Sequence, residues 1–423
     1  MDSVTSDQVK RRRVFYIPGY DPFPPRRYRE LYRSEGKDQA SISGYSLAVK
    51  GAPKADTFGW HVACKTDGQT VVADIQVLVW SDLVQKSMSA GIVATFIQLL
   101  RTVWIYVSTG ALRRLMWLRK GPILAALYPI SVLLGQWILA AIVMFGVSDI
   151  VTTLVGRAVS LFADVPAGGV GAAVLYWIGL ACGIVAAGAL LHWFRLHDRK
   201  IFAYYLMHDY AYAAGHLGAN PPELDARMKA FGAKISAALN SDVDEVLVVG
   251  HSSGAHLGIS ILADLTRNGF VRADGPALGF LTLGHVVPMV SFLPKAHRLR
   301  ADLHDLSVSQ DITWVDVSAP GDGCCFALCD PVAVSGVAPQ NQKWPLVISA
   351  AFKNTLSPER WKKLRRRYFR LHFQYLCAFD QPGDYDYFQI TAGPMTLARR
   401  FAGRAPSKSR IDVSASPYTS MSP

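Results

Sequence analysis

Two long uncharged stretches constrain the fold of this chain more than any other feature. Residues 121–148 form a run of 28 residues and residues 165–191 a run of 27, and neither contains Asp, Glu, Lys or Arg. At about 1.5 Å per residue, a helix of either length exceeds the ~30 Å hydrocarbon core of a bilayer. The sequence therefore predicts two transmembrane helices that form a hairpin.

A third apolar stretch, residues 87–112, differs because Arg101 interrupts it and a basic segment follows it. If the segments on either side of residues 87–200 build one sheet, both must lie on the same side of the membrane. The number of spans is then even, so we interpret residues 87–112 as an interfacial helix that lies on the membrane. The sequence alone leaves open whether this helix enters the bilayer.

The net charge of +12 is unevenly distributed. The loop between the two predicted spans has Arg157 as its one basic residue, whereas the outer flanks carry Arg113, Arg114, Arg119, Lys120, Arg195, Arg199 and Lys200. Because cytoplasmic flanks carry the excess of basic residues, both termini and the sheet are predicted to be cytoplasmic, at the inner membrane in a bacterium. An anionic membrane surface is the favoured partner, and no nucleic-acid-binding motif is present.

The remaining composition argues against a disulfide framework and a metal centre. The six cysteines include no Cys-x-x-Cys pair, and no histidine lies near Cys324, Cys325 and Cys329 in the sequence. We predict reduced thiols, no metal and no cofactor. Residues 1–13 contain no apolar run, so no cleavable signal peptide is predicted. Residues 401–423 are rich in Ser and Pro and are predicted to be a disordered tail.

Strand-like and helical patterns alternate on both sides of the membrane segment. Strands are predicted at 14–17, 45–49, 59–64, 71–80, 242–249, 278–284, 312–317 and 368–376. Helices are predicted at 26–33 (basic and exposed), 201–214, 221–239, 255–267 and 360–367. The fold class is therefore α/β, with residues 1–86 and 201–400 forming one doubly wound sheet into which residues 87–200 are inserted.

A short motif lies where the strand at 242–249 meets the helix at 255–267. It reads Gly250-His251-Ser252-Ser253-Gly254. A sharp break from strand to helix lifts the serine hydroxyl out of the sheet edge, and the two glycines let strand and helix approach closely. In this context the chain resembles the α/β-hydrolase superfamily of serine esterases and lipases, over residues 14–80 and 201–393. The membrane hairpin is a departure from that superfamily, whose members are mostly soluble.

The resemblance implies a catalytic triad in the chain order Ser, acid, His, with Ser252 as nucleophile. The acid is expected just beyond the strand at 312–317, where Asp322 lies in a Gly-Asp-Gly turn. Asp330 is the alternative. His372 is the only histidine after Asp322 and is therefore the expected base. The superfamily usually carries this histidine on a loop beyond the last strand, whereas His372 lies within a strand-like run.

The turn after the first strand, Pro18-Gly19-Tyr20-Asp21-Pro22, is where the superfamily places half of its oxyanion hole. We expect the backbone N–H of Tyr20 to bind the oxyanion together with that of Ser253. Asp21 could supply that N–H instead, and an ordinary Pro-Gly turn is the simpler interpretation. Gly19, Asp21, His251 and His285 are predicted to lie at the substrate side of the site.

The function implied by the resemblance is hydrolysis of an ester by a membrane-anchored serine hydrolase. The membrane segment favours a lipid or another hydrophobic acyl ester as substrate, in contact with the bilayer. Two alternatives stay open on sequence alone. An acyltransferase would use the same fold and nucleophile, and a membrane scaffold or transport component would keep the fold without the chemistry.

Overall fold

The computed structural model describes residues 8–52, 58–88, 91–162 and 169–423. The chain divides into two compact units. One, which we call the sheet unit, comprises residues 1–87, 104–124 and 212–423, and the other, the helical unit, comprises residues 88–103 and 125–211.

The sheet unit is built on one mixed sheet of eight strands in the order β2-β3-β4-β1-β5-β6-β7-β8. The strands are β1 (Arg11–Ile17), β2 (Ser46–Gly51), β3 (Gly59–Thr66), β4 (Gln69–Val77), β5 (Glu245–His251), β6 (Ala277–Leu283), β7 (Thr313–Ser318) and β8 (Leu346–Ser349). Strand β3 pairs antiparallel with β2 and β4, and all other pairs are parallel. Every residue of β5 is buried, as expected for a central parallel strand covered on both faces.

Helices make up most of the remaining chain. They are α1 (Arg26–Ser43), α2 (Ser81–Ser87), α3 (Ile92–Ser108), α4 (Ala111–Leu118), α5 (Lys120–Ser160), α6 (Val170–Leu196), α7 (Asp198–Ile201), α8 (Ala203–Gly215), α9 (Pro222–Leu239), α10 (Gly254–Arg267), α11 (Pro288–Ser291), α12 (His297–Val308), α13 (Pro331–Val334), α14 (Phe352–Thr355), α15 (Pro358–Leu364), α16 (Tyr368–His372), α17 (Tyr387–Ala392) and α18 (Leu397–Arg400). A 3₁₀ turn, Gln374–Leu376, follows α16.

The predicted α/β class is confirmed, and the first seven predicted strands coincide with β1 to β7. The eighth was wrong, because residues 368–376 form α16 and the 3₁₀ turn. Their aromatic side chains favour strands, but the burial of Leu371, His372 and Tyr375 follows a helical period. The eighth strand is instead β8, whose four residues are too short a run to stand out. Helix α1 is also longer than predicted, and its buried stripe includes Tyr28 and Tyr32.

The predicted boundary of the inserted segment differs from the structure. Residues 104–124 belong to the sheet unit, because two polar side chains attach them to it. The hydroxyl of Tyr106 donates to the carbonyl oxygen of Met289 at 2.9 Å, and Nε of Arg119 donates to that of Ala327 at 2.9 Å. The predicted helix at 87–112 is also divided, since α3 ends at Ser108 and α4 begins at Ala111.

The C-terminal segment, predicted to be disordered, is ordered along the sheet unit. It has no regular element after α18, but its backbone is hydrogen-bonded at several points. Ser407 donates to the carbonyl oxygen of Val347 at 2.9 Å, and Ala415 donates to that of Val334 at 3.0 Å. A Ser- and Pro-rich composition thus correctly indicates the lack of helix and strand, but it does not exclude long-range pairing.

Within the part of the chain that the structure describes, two helices are long and apolar enough to cross a membrane: α5 with 41 residues and α6 with 27. Helices α2 and α3 would together form a third membrane span if the two act as one bent helix. Helix α5 continues beyond the predicted end at residue 148, through Asp149 and Arg157. The first residues of the second predicted span, 165–168, lie outside the described residues.

Small residues let α5 and α6 pack closely within the helical unit. A Cβ atom on Gly179 would lie 2.7 Å from the carbonyl oxygen of Ser148, and one on Gly183 would overlap the carbonyl oxygen of Met144. Backbone contact of this kind is typical of helix pairs in bilayers, where close packing replaces the hydrophobic effect as the driving force.

Replacement of Gly183 with Ala is therefore expected to lower the free energy of unfolding by about 1–3 kcal/mol, because the helices must separate. Gly188→Ala is the matched control in the same helix, since a Cβ atom there meets no other atom within 4 Å. Titration of the purified protein with SDS in mixed micelles measures the free energy of unfolding of both variants. Equal stability of the two would contradict the close packing at Gly183.

Candidate active site

Ser252 lies at a strained break between β5 and α10. Its φ angle is 56°, a left-handed conformation that costs a non-glycine residue roughly 1–2 kcal/mol. The flanking glycines are required by close contacts. A Cβ atom on Gly250 would lie 2.8 Å from Cα of Ala255, and one on Gly254 would lie 2.7 Å from the carbonyl oxygen of Pro18. The strand–turn–helix context predicted for the motif is therefore present.

His372 and Asp322 form a buried pair. Nδ1 of His372, at the end of α16, donates to Oδ2 of Asp322 at 2.7 Å. Asp322 lies in the turn after β7, and its Oδ1 accepts the N–H of Cys324 at 2.9 Å. Burial acts to raise the pKa of Asp322, but the charge and hydrogen bond of His372 outweigh it and hold that pKa below its usual value. The carboxylate therefore stays ionised.

The second nitrogen of His372, Nε2, differs from Nδ1 in its surroundings. A carboxylate only accepts hydrogen bonds, so Nδ1 carries a proton, and the lone pair of the neutral ring is then on Nε2. Nε2 is buried and has no hydrogen-bond partner among the described residues. A buried polar atom without a partner is uncommon in folded proteins, and here it is the atom that a general base would use.

The sheet brings Ser252 and this pair to one edge. The N–H of Ser252 donates to the carbonyl oxygen of Leu283 at 2.9 Å, at the end of β6. A Cβ atom on the next residue, Gly284, would lie 3.1 Å from Cε1 of His372 and 3.3 Å from Oδ2 of Asp322. The carboxyl ends of β5, β6 and β7 thus converge, which is where open α/β sheets bind ligands.

The turn after β1 lies against Ser252. A Cβ atom on Gly19 would lie 3.0 Å from Cβ and 3.4 Å from Oγ of Ser252. The indole of Trp80 donates to the carbonyl oxygen of Pro18 at 2.9 Å and holds the turn in place. Tyr20 follows Gly19 in this turn, and Ser253 is the N-cap residue of α10. Both backbone segments expected to bind an oxyanion therefore flank Ser252.

Asp21 and His285, predicted to lie at the substrate side, are both buried and hydrogen-bonded to protein groups. Asp21 is buried, and its carboxylate accepts the N–H of Phe23 at 2.9 Å and the hydroxyl of Tyr28. His285 is fully buried, where Nε2 donates to the carbonyl oxygen of Cys329 at 3.0 Å. Each side chain thus has hydrogen-bond partners within the protein, and the substrate-side role stays a prediction for both.

His251 is likewise buried, and it contacts His372. Its Nε2 donates to the carbonyl oxygen of His372 at 3.1 Å, and its Nδ1 accepts the hydroxyl of Tyr16 at 3.2 Å. Its ring stacks on that of His372 with a centroid distance of 4.9 Å. Burial, and the neighbouring His372, lower the pKa of His251 to about 3, so the ring adds no charge beside the base.

The alternative acid, Asp330, has a structural role. It caps α13 by accepting the N–H groups of Val332 at 3.0 Å and Ala333 at 3.2 Å. Its second oxygen accepts the side-chain amide of Gln342 at 2.8 Å. Of the two candidates, Asp322 is the one that the structure pairs with His372.

Tyr375 is a site residue that the sequence did not reveal. Its hydroxyl donates to Oδ2 of Asp322 at 3.0 Å and accepts the N–H of Ala319 at 3.0 Å. It therefore connects the acid to the end of β7. The helical spacing of His372 and Tyr375 was the available signal, but the segment was interpreted as a strand, which places these residues on opposite faces.

A cavity of about 360 Å³ borders the turn after β7 that contains Asp322, which we call the acid turn.

The comparisons with known proteins do not identify the site. No protein-family model matches the chain, and no curated protein and no solved structure match it. Among the described residues, no group of three His, Cys, Asp or Glu side chains is placed to hold a metal ion.

Proposed function

We propose that this protein is a membrane-anchored serine hydrolase of the α/β-hydrolase type that cleaves a hydrophobic ester. The observation that carries the proposal is the convergence of two unusual features at one sheet edge. Ser252 has a strained, left-handed backbone, and at the same sheet edge His372 is hydrogen-bonded to an ionised Asp322, while its other nitrogen has no partner among the described residues. Both features are characteristic of activated serine nucleophiles.

In the proposed reaction, Oγ of Ser252 attacks the ester carbonyl carbon while Nε2 of His372 takes the hydroxyl proton. Asp322 stabilises the resulting imidazolium, and the backbone N–H groups of Tyr20 and Ser253 bind the oxyanion. The C–O bond of the ester then breaks, and the alcohol leaves with the proton from His372. Water attacks the acyl-enzyme with His372 again as base, which releases the carboxylic acid and regenerates Ser252.

The membrane segment supports a hydrophobic substrate. Helices α5 and α6 are both long and apolar enough to span a bilayer. Basic residues precede the first span and follow the second, at the ends that connect to the sheet segments. By the positive-inside rule, both termini and the site face the cytoplasm. The enzyme would thus be held at the surface where lipid esters are concentrated.

Labelling with a fluorophosphonate probe tests this function without knowledge of the substrate. We expect the probe to modify the wild-type protein in isolated membranes, and peptide mapping to locate the adduct on Ser252. Ser252→Ala should abolish labelling because the nucleophile is lost. Ser253→Ala is the matched control, since it keeps the backbone N–H and should retain most of the labelling.

Absence of labelling in folded wild-type protein, or labelling that survives in Ser252→Ala, would contradict the hydrolase proposal. Absence of labelling would favour the scaffold alternative, and labelling that survives in Ser252→Ala would assign the nucleophile to another residue. Analysis of the products formed from a labelled ester in the presence of an added alcohol separates hydrolysis from acyl transfer, because only a transferase yields mainly the new ester.

A further inference from the structure

The cavity beside the acid turn has two walls, both in the sheet unit. One wall is the chain from the end of α4 into the first turn of α5, and the other is the turn after β7. The lining residues are Trp117, Leu118, Arg119, Lys120, Gly121, Pro122, Pro320, Asp322, Gly323, Cys325 and Ala327. The walls meet closely, since a Cβ atom on Gly121 would lie 3.4 Å from Cα of Gly323.

The charges on these walls favour an anion. Arg119 is held in place by the bond from Nε to the carbonyl oxygen of Ala327 at 2.9 Å. Within the described ranges, neither Arg119 nor Lys120 forms an ion pair with an acidic side chain. The one carboxylate in the lining, Asp322, is already bonded to His372, Tyr375 and Cys324. Two cations are therefore available for a ligand.

Arg119 and Lys120 lie at the N-terminus of α5, the longest of the described helices. Lys120 is the first residue of α5, and its helix N-terminus adds partial positive charge to the cavity. The preceding helix, α4, exposes both apolar and basic side chains. These are Arg113, Arg114, Met116 and Trp117. Such a helix is suited to the boundary between head groups and acyl chains.

We propose that this cavity binds the anionic head group of a membrane lipid through Arg119 and Lys120. A planar guanidinium and an ammonium group suit the oxygens of a phosphate or carboxylate. Under the proposed hydrolase function, on which this last step rests, the bound lipid is the substrate. An anionic head group in the cavity would place the ester of the same molecule near the base and nucleophile.

Titration of the full-length protein in neutral detergent with water-soluble short-chain lipids tests the proposal. Dihexanoyl phosphatidylglycerol is the anionic ligand, dihexanoyl phosphatidylcholine the zwitterionic one, and inorganic phosphate the third, with binding measured by calorimetry. We expect the anionic lipid to bind about ten-fold more tightly than the other two. Monomeric lipids are used because they avoid general attraction to a charged membrane surface.

The double variant Arg119→Gln/Lys120→Gln should lose this preference. Because Arg119 also has a structural bond, Lys120→Gln alone is measured as well and should weaken binding of the anionic lipid about three-fold. Arg113→Gln/Arg114→Gln removes the same charge from α4 outside the cavity and should keep the preference. An equal loss in this control, or equal affinity for both lipids, would overturn the proposal. Phosphate that binds as tightly as the lipid would assign the cavity to a free anion instead.

Fluorophosphonate labelling of the same samples separates this inference from the proposed function. If anionic lipid binding depends on Arg119 and Lys120 but the wild-type protein is not labelled, the lipid site stands and the hydrolase function fails. If Ser252 is labelled but no lipid preference exists, the hydrolase stands and the lipid site fails. Protection of Ser252 from the probe by the anionic lipid would support both.

Discussion

Replacement of Asp322 with Asn is expected to slow fluorophosphonate labelling and ester hydrolysis by about 10³–10⁴-fold. The amide is nearly isosteric, so the fold should be kept. It cannot stabilise an imidazolium, and its NH₂ group favours the tautomer in which Nδ1 of His372 accepts and Nε2 carries the proton. Nε2 would then have no lone pair with which to take the proton of Ser252. The measurement is the second-order rate constant for labelling at several pH values.

Asp330→Asn is the matched control for this change. Asp330 is also a buried carboxylate, but its interactions are with the N-terminus of α13 and Gln342. Asparagine caps helices about as well as aspartate does, so labelling should stay within about three-fold of wild type. Normal labelling of Asp322→Asn together with a loss in Asp330→Asn would reverse the two assignments.

Replacement of Gly254 with Ala is expected to destabilise the sheet unit by about 3–5 kcal/mol and to abolish labelling of Ser252. The added Cβ atom would lie 2.7 Å from the carbonyl oxygen of Pro18 and would overlap that of Ile17. The oxygen of Ile17 is held because Ile17 ends β1, which lies between β4 and β5 in the middle of the sheet, and the oxygen of Pro18 is held by the indole of Trp80. Helix α10 must therefore shift, and Ser252 at its start shifts with it.

Gly215→Ala serves as the control in the same unit. This glycine ends α8, and a Cβ atom there would meet no other atom within 4 Å. Its thermal unfolding midpoint and labelling should match those of wild type. If Gly254→Ala were as stable and as reactive as Gly215→Ala, the close approach of α10 to β1 would be wrong, and with it the geometric argument for the motif.

Local patterns in the sequence were enough for the α/β class, seven of the eight strands and the two long apolar helices. These features depend on the period and length of apolar runs, which neighbouring residues determine. They failed where a run was short, as in β8, and where propensity and burial disagree, as in residues 368–376. The prediction that the C-terminal segment is disordered was wrong for a related reason, because its order comes from pairing with residues distant in the chain.

The sequence by itself identified Ser252, Asp322 and His372 as candidates, through one motif, one turn and the position of a single histidine after that turn. Only the tertiary structure decided which carboxylate meets His372, because Asp322 and Asp330 lie at similar distances along the chain from it. It also showed that His251 hydrogen-bonds to His372, that Tyr375 hydrogen-bonds to Asp322, and that Arg119 and Lys120 line a cavity together with Asp322. Hydrogen bonds between residues far apart in sequence depend on how the elements pack, and no local pattern records that packing.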